Sequence, residues 1–95
     1  MISQQIENIL KAKERFAARK VGGELVLVPL KNSVAEMEEM FTLNQVGSLI
    51  WEDIQKGTTE QTLIDAIVNE FDIDPFTASD DLQAFLDSLS KHLRI

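Results

Sequence analysis

Apolar residues recur three and four positions apart at Ile2, Ile6, Ile9 and Leu10, a spacing that predicts a short helix over residues 3 to 13. A helix that short is marginal alone in water, so it frays unless this chain or another subunit packs on it. From Arg15 to Val21 the pattern turns extended, and Gly22-Gly23 supplies the positive φ of a tight hairpin. The β-branched and apolar run from Glu24 to Leu30 is the returning strand. Pro29 cannot donate to a ladder, which places that end at an edge or already leaving the sheet. Residues 31 to 38 are polar, carry the turn signal Asn32-Ser33, and read as a connection. A third strand follows over residues 39 to 43, with Phe41 and Leu43 on one face and Met40 and Thr42 on the other.

Asn44 then suits an N-cap, because its side chain can accept the free amide hydrogens of a new first turn. The helix it opens carries Val46, Leu49, Ile50 and Ile54 on one stripe, with Trp51 widening the apolar face as a core residue. Gly47 costs that helix about 1 kcal/mol unless another backbone approaches closely. Gly57 ends it, and Thr58 with Gln61 has the spacing of a capping box for the next helix. That helix carries Leu63, Ile64, Ile67, Val68 and Phe71. Asp74-Pro75 gives an N-cap and a proline at the first helical position, opening a last helix from 75 to about 91. Its buried side is expected to be Leu82, Phe85, Leu86, Leu89 and Leu93. The order predicts an α+β, winged-helix-like domain, a three-stranded antiparallel sheet followed by three helices. Residues 1 to 14 read as an N-terminal extension with helical spacing, and residues 15 to 95 as the domain.

Ninety-five residues bury only about 60 to 65% of the unfolded surface, which leaves little room for a deep enclosed active site. The net charge of −7 is uneven: residues 1 to 20 hold five basic and two acidic side chains, and the remainder four basic and fourteen acidic. An acidic body repels phosphate, so nucleic acid is not expected as a partner. A winged-helix DNA-binding regulator is the competing class, as is a structural or dimerisation domain without a ligand. The helices that would have to enter a DNA groove carry Glu60, Asp65 and Glu70, then Asp80, Asp81 and Asp87 before Lys91. No apolar run approaches the ~18 residues of a membrane span, and the start is too polar for a signal peptide. With no Cys in the chain, a cytoplasmic location is the expectation.

No residue set assembles a catalyst, and none is expected to bind a cofactor. His92 is the one His and lacks imidazole or thiolate companions for a transition metal, so it reads as a surface side chain. The adjacent pairs Asp80-Asp81 and Glu38-Glu39 diverge and cannot form a dyad across a cleft. Asp87-Ser88-Leu89 resembles the phosphopantetheine site of acyl carrier proteins, but it lies inside a helical stripe with seven residues after Ser88. We expect a non-enzyme with no metal site.

Four runs in order carry a family resemblance: Phe41-Thr-Leu-Asn-Gln-Val-Gly-Ser-Leu-Ile-Trp51, Gly57-Thr-Thr, Phe71-Asp-Ile-Asp-Pro75, and Asp80-Asp-Leu-Gln-Ala-Phe-Leu86. Together they resemble the PqqD-like family over about residues 15 to 95. The resemblance implies a peptide chaperone that holds the leader of a ribosomally synthesised precursor peptide and presents its core to a modifying enzyme, a radical S-adenosylmethionine enzyme in many cases. It also implies a place: the leader added as a strand beside the third strand, against the last helix. In this sequence the corresponding residues are Glu38, Glu39, Met40, Phe41, Thr42, Asp81, Leu82, Phe85 and Leu86. Leu43, Asn44, Ile50 and Trp51 match positions that look structural. A homodimer, in which two copies exchange elements, is a further expectation.

Overall fold

A computed structural model describes residues 2–30 and 40–93. Helix α1 (Ile2–Ala12) passes through one 3-10 turn (Lys13–Arg15) into β1 (Phe16–Val21). Gly22, at φ 65°, takes the left-handed conformation of the hairpin turn into β2 (Glu24–Pro29). The third strand, β3 (Phe41–Leu43), leads into α2 (Gln45–Asp53), α3 (Glu60–Phe71) and α4 (Pro75–Leu93). The sheet is antiparallel in the order β1-β2-β3, with Phe16 opposite Pro29 and Leu25 opposite Leu43. This is the expected α+β arrangement of three strands and then three helices, with α1 in front.

The strand alternation puts Leu25 and Leu27 on the inner face, where both are fully buried against the helices. Ile50, Ile54, Leu63, Ile67, Ala78, Leu82 and Leu86 complete the same cluster, and Trp51 fills space beside them at 3% exposure. Trp51 is therefore a core side chain, as its place on the apolar stripe predicts. Helix α1 solves its marginal stability inside its own chain. Its Ile6, Ile9 and Ala12 are buried in that core, and Gln5 Nε2 donates to Asp87 Oδ1 of α4 at 2.8 Å.

Local boundaries differ from the sequence expectation in three places. The third strand is described from Phe41, while residue 39 and the expected connection from 31 to 38 lie outside the described residues. Helix α2 stops at Asp53, ahead of Gly57, because Ile54 swings to an extended ψ of 112° and buries its side chain completely. Gly57, at φ 90°, serves the turn that follows. The capping box falls one residue later than the spacing of Thr58 and Gln61 suggests. Thr58 is occupied in closing that turn, accepting from the Gln55 amide at 2.9 Å and donating to the Asp53 carbonyl at 3.0 Å. Thr59 and Thr62 exchange side-chain and backbone hydrogen bonds instead, and Gln61 donates to Asp65.

Candidate functional site: the β3 edge and the α4 cleft

The corner between β3 and α2 is built from three consecutive devices. Asn44 Oδ1 accepts the Gly47 amide at 2.8 Å, the N-cap expected from sequence. The buried Ser48 hydroxyl lies 2.7 Å from the Asn44 carbonyl and 3.2 Å from that of Leu43, so it can donate back across the corner. Leu43, 7% exposed, anchors the strand end in the core. These contacts end β3 at once and hold α2 directly behind it. Among the described residues β3 has β2 as its one strand neighbour, so it is an edge strand of the sheet.

Beside that edge lies a cleft of about 240 Å³ lined by Thr42, Leu43, Asn44, Phe85, Ser88, Leu89 and His92. The four α4 residues stand at i, i+3, i+4 and i+7, a single row along the helix. Phe85 and Leu89 with Leu43 make an apolar floor, while Thr42, Asn44, Ser88 and His92 offer polar groups at the rim. The space fits a side chain or two of an extended peptide, and its wall is fixed from behind. Gln5 of α1 and Gln83 of α4 both donate to Asp87, at 2.8 Å each.

The residues anticipated for binding separate into distinct environments. Thr42 and Phe85 meet in the cleft. Met40 is 63% exposed at the approach to β3. The backbone of Phe41 pairs with Leu27 in the sheet. Asp81 is half-buried on α4 but does not line the cleft. Glu38 and Glu39 lie outside the described residues. Leu82 and Leu86 are corrected to core: each is 0% exposed within the core cluster, so neither offers surface to a ligand. Sequence reading missed Leu43, Asn44, Ser88, Leu89 and His92 as cleft residues. The signal was the row continuing from Phe85 at helical spacing, which the strongly apolar stripe beside it obscured.

Among the described residues no group of His, Asp and Glu could hold a metal ion, and no helix is long and apolar enough to cross a membrane. Among the described residues two titrating groups are clearly displaced. Burial lowers the Lys13 ammonium, opposed by nearby Glu52 and Asp53, and the Thr77 amide lowers Asp74 at the start of α4. Neither lines the cleft.

The family model for coenzyme PQQ synthesis protein D (PqqD) matches residues 24–92, from the first residue of β2 to the penultimate residue of α4. The chain belongs to the PqqD family. Within the family's match lie both walls of the cleft, β3 and α4. The chain is also similar to a solved structure described as TbiB1 in complex with the TbiA(beta) leader peptide, with 29% identity and a TM-score of 0.64. That similarity covers 82% of this chain and 85% of the other. No curated protein matches the chain.

Proposed function

We propose that this PqqD-family chain is a precursor-peptide recognition module, which binds the leader segment of a ribosomally synthesised peptide and presents it to a modifying enzyme. The observation that carries the reading is the outer edge of β3 opening onto the cleft against α4, in a fold shared with a protein solved on a leader peptide. The leader adds as an antiparallel strand beside Thr42, and its side chains on one face enter the cleft. Three strand residues provide about two to four backbone hydrogen bonds, each worth roughly 0.5 to 1.5 kcal/mol net. Micromolar affinity requires about −8 kcal/mol after association entropy is overcome, so the side-chain cleft supplies much of the affinity and the strand edge supplies register.

The module acts by binding rather than catalysis, and its partner enzyme belongs to the radical S-adenosylmethionine class. The setting is the cytoplasm, where precursor peptides are made, and assembly into a homodimer is compatible with leader binding if β3 stays open.

The test is titration of fluorescein-labelled 15-residue peptides tiling the precursor encoded nearest this chain's gene, followed by hydrogen exchange on the complex. Micromolar binding by a leader peptide, with slowed exchange at residues 41 to 43, is expected. Absence of binding at millimolar peptide, or protection confined to β1, would overturn the reading.

A further inference from the structure

Gly47, on the first turn of α2, is pressed by the Phe85 ring. A Cβ placed there would lie 2.8 Å from Phe85 Cε1 and 3.1 Å from Cδ1, well inside the roughly 3.5 to 4.0 Å at which carbon atoms pack. The third neighbour, Asn44 Oδ1 at 3.4 Å, is held by its hydrogen bond from the Gly47 amide and cannot withdraw without uncapping the helix. Positive φ among the glycines is confined to Gly22 and Gly57. The α2 backbone at Gly47 is therefore ordinary helix, where glycine is disfavoured, and what excludes a side chain is the aromatic ring. An approaching backbone, the expected justification for a glycine here, is not what fills this space.

The ring occupying that notch is also the largest apolar group of the cleft. Its neighbours on α4, Leu82 and Leu86, are fully buried in a packed core, so a ring pushed off α2 finds no room behind it. The open direction is the cleft. We propose that Gly47 is a positioning residue for peptide recognition: by letting the Phe85 ring lie against α2, it keeps the cleft deep enough for one large apolar side chain of the added strand. This rests on the cleft being the leader site, and it assigns the depth of that site to a residue no peptide touches.

The test compares wild type, Gly47→Ala, Phe85→Leu and the double variant, each titrated with the tightest-binding labelled 15-mer and with the same peptide carrying Ala at its most affinity-determining apolar position. Gly47→Ala is expected to keep a cooperative thermal transition and to weaken the parent peptide at least tenfold, while changing affinity for the Ala-substituted peptide less than threefold. In the Phe85→Leu background the effect of Gly47→Ala should vanish, because the smaller side chain leaves room for the methyl. The ring resonances of Phe85 in peptide-free protein should shift in Gly47→Ala, a change independent of any ligand. Equal affinity of wild type and Gly47→Ala for the parent peptide overturns the proposal, as does an equal loss with both peptides. A Gly47→Ala chain that no longer folds also overturns it, since the ring then has no cleft to yield into. Failure of wild type to bind any 15-mer, by contrast, counts against the leader-binding reading itself.

Discussion

Lys13 and Trp51 meet where the N-terminal segment crosses the end of α2: the Lys13 ammonium donates to the Trp51 carbonyl at 2.8 Å and lies 5.8 Å from the centre of its ring. The same ammonium donates to the Ile54 carbonyl, also at 2.8 Å. Helix ends leave carbonyls without partners and carry partial negative charge, so one cation placed there satisfies two acceptors and complements the dipole. This tie joins the segment following α1 to the helix that frames the cleft. Lys13→Met retains most of the aliphatic stem but removes the donors. It should lower stability by about 1 to 2 kcal/mol, the scale of a charge-assisted hydrogen bond with partial solvent exposure. Urea unfolding of the two chains measures the difference; an unchanged midpoint would mean water replaces the ammonium at no cost.

Trp51 makes a second measurement available. Its ring is 3% exposed and packs edge-on against Phe16, with centroids 6.2 Å apart at an interplanar angle of 83°. It does not line the cleft. Its emission should be that of a dry environment and should change little when a leader peptide binds. Trp51→Ala, by contrast, should cost about 3 to 5 kcal/mol through the cavity it leaves. A large emission change on peptide addition would place the ligand on the wrong side of α2.

Ser88 offers a way to block the cleft without touching the core. It is exposed on α4 and lines the space between Phe85 and Leu89. Ser88→Arg should leave the thermal midpoint within a few degrees and weaken leader binding at least tenfold. Phe85→Asp should abolish binding, with circular dichroism needed to show that the variant is folded. Retained binding by a folded Phe85→Asp chain would exclude the cleft as the site.

Asp74 sets an acid limit on the start of α4. Its carboxylate accepts the Thr77 amide at 2.9 Å and the Thr77 hydroxyl at 2.8 Å, and the amide bond chiefly lowers its pKa below the ordinary 3.8. A carboxyl whose folded pKa is depressed stabilises the fold fully above its unfolded value and loses that contribution as pH falls through the folded one. Asp74→Asn keeps a capping oxygen that does not titrate. The thermal midpoint of wild type should therefore fall more steeply than that of Asp74→Asn below about pH 4. Parallel pH profiles would show that Asp74 contributes nothing to the acid limb.

The elements themselves were legible in the chain because each rests on local physics. The β-branched and apolar run over Glu24–Pro29 marks a strand, Asn44 and Asp74 mark helix starts, and the i, i+3, i+4 stripes mark the three later helices. Family membership was legible for the same reason, since its four runs are a strand-to-helix corner, two helix starts and a buried stripe in fixed order. Where local reading slipped, α2 had already ended ahead of Gly57 as Ile54 turned into the core, and at Thr58 the neighbouring Thr59 offered equivalent chemistry. The choice between Thr58 and Thr59 was made by which hydroxyl the preceding turn had already engaged.

The sequence by itself determined which residues are apolar, where helices begin, and that one short strand ends at Asn44, because those follow from periodicity and from hydrogen bonding within a few residues. Only the tertiary structure decided which α4 residues face β3. Leu82 and Leu86 share a stripe with Phe85 and Leu89, yet the docking of α4 buries the first two completely in the core, leaves Phe85 half-buried, and sets Phe85 and the 2%-exposed Leu89, with Ser88 and His92, along the cleft. It also decided that α1 packs on its own chain and that the space above Gly47 belongs to the Phe85 ring. Each of these depends on the rotation of one helix about its axis relative to distant elements, a quantity fixed by the packing of the whole core and carried by no local pattern.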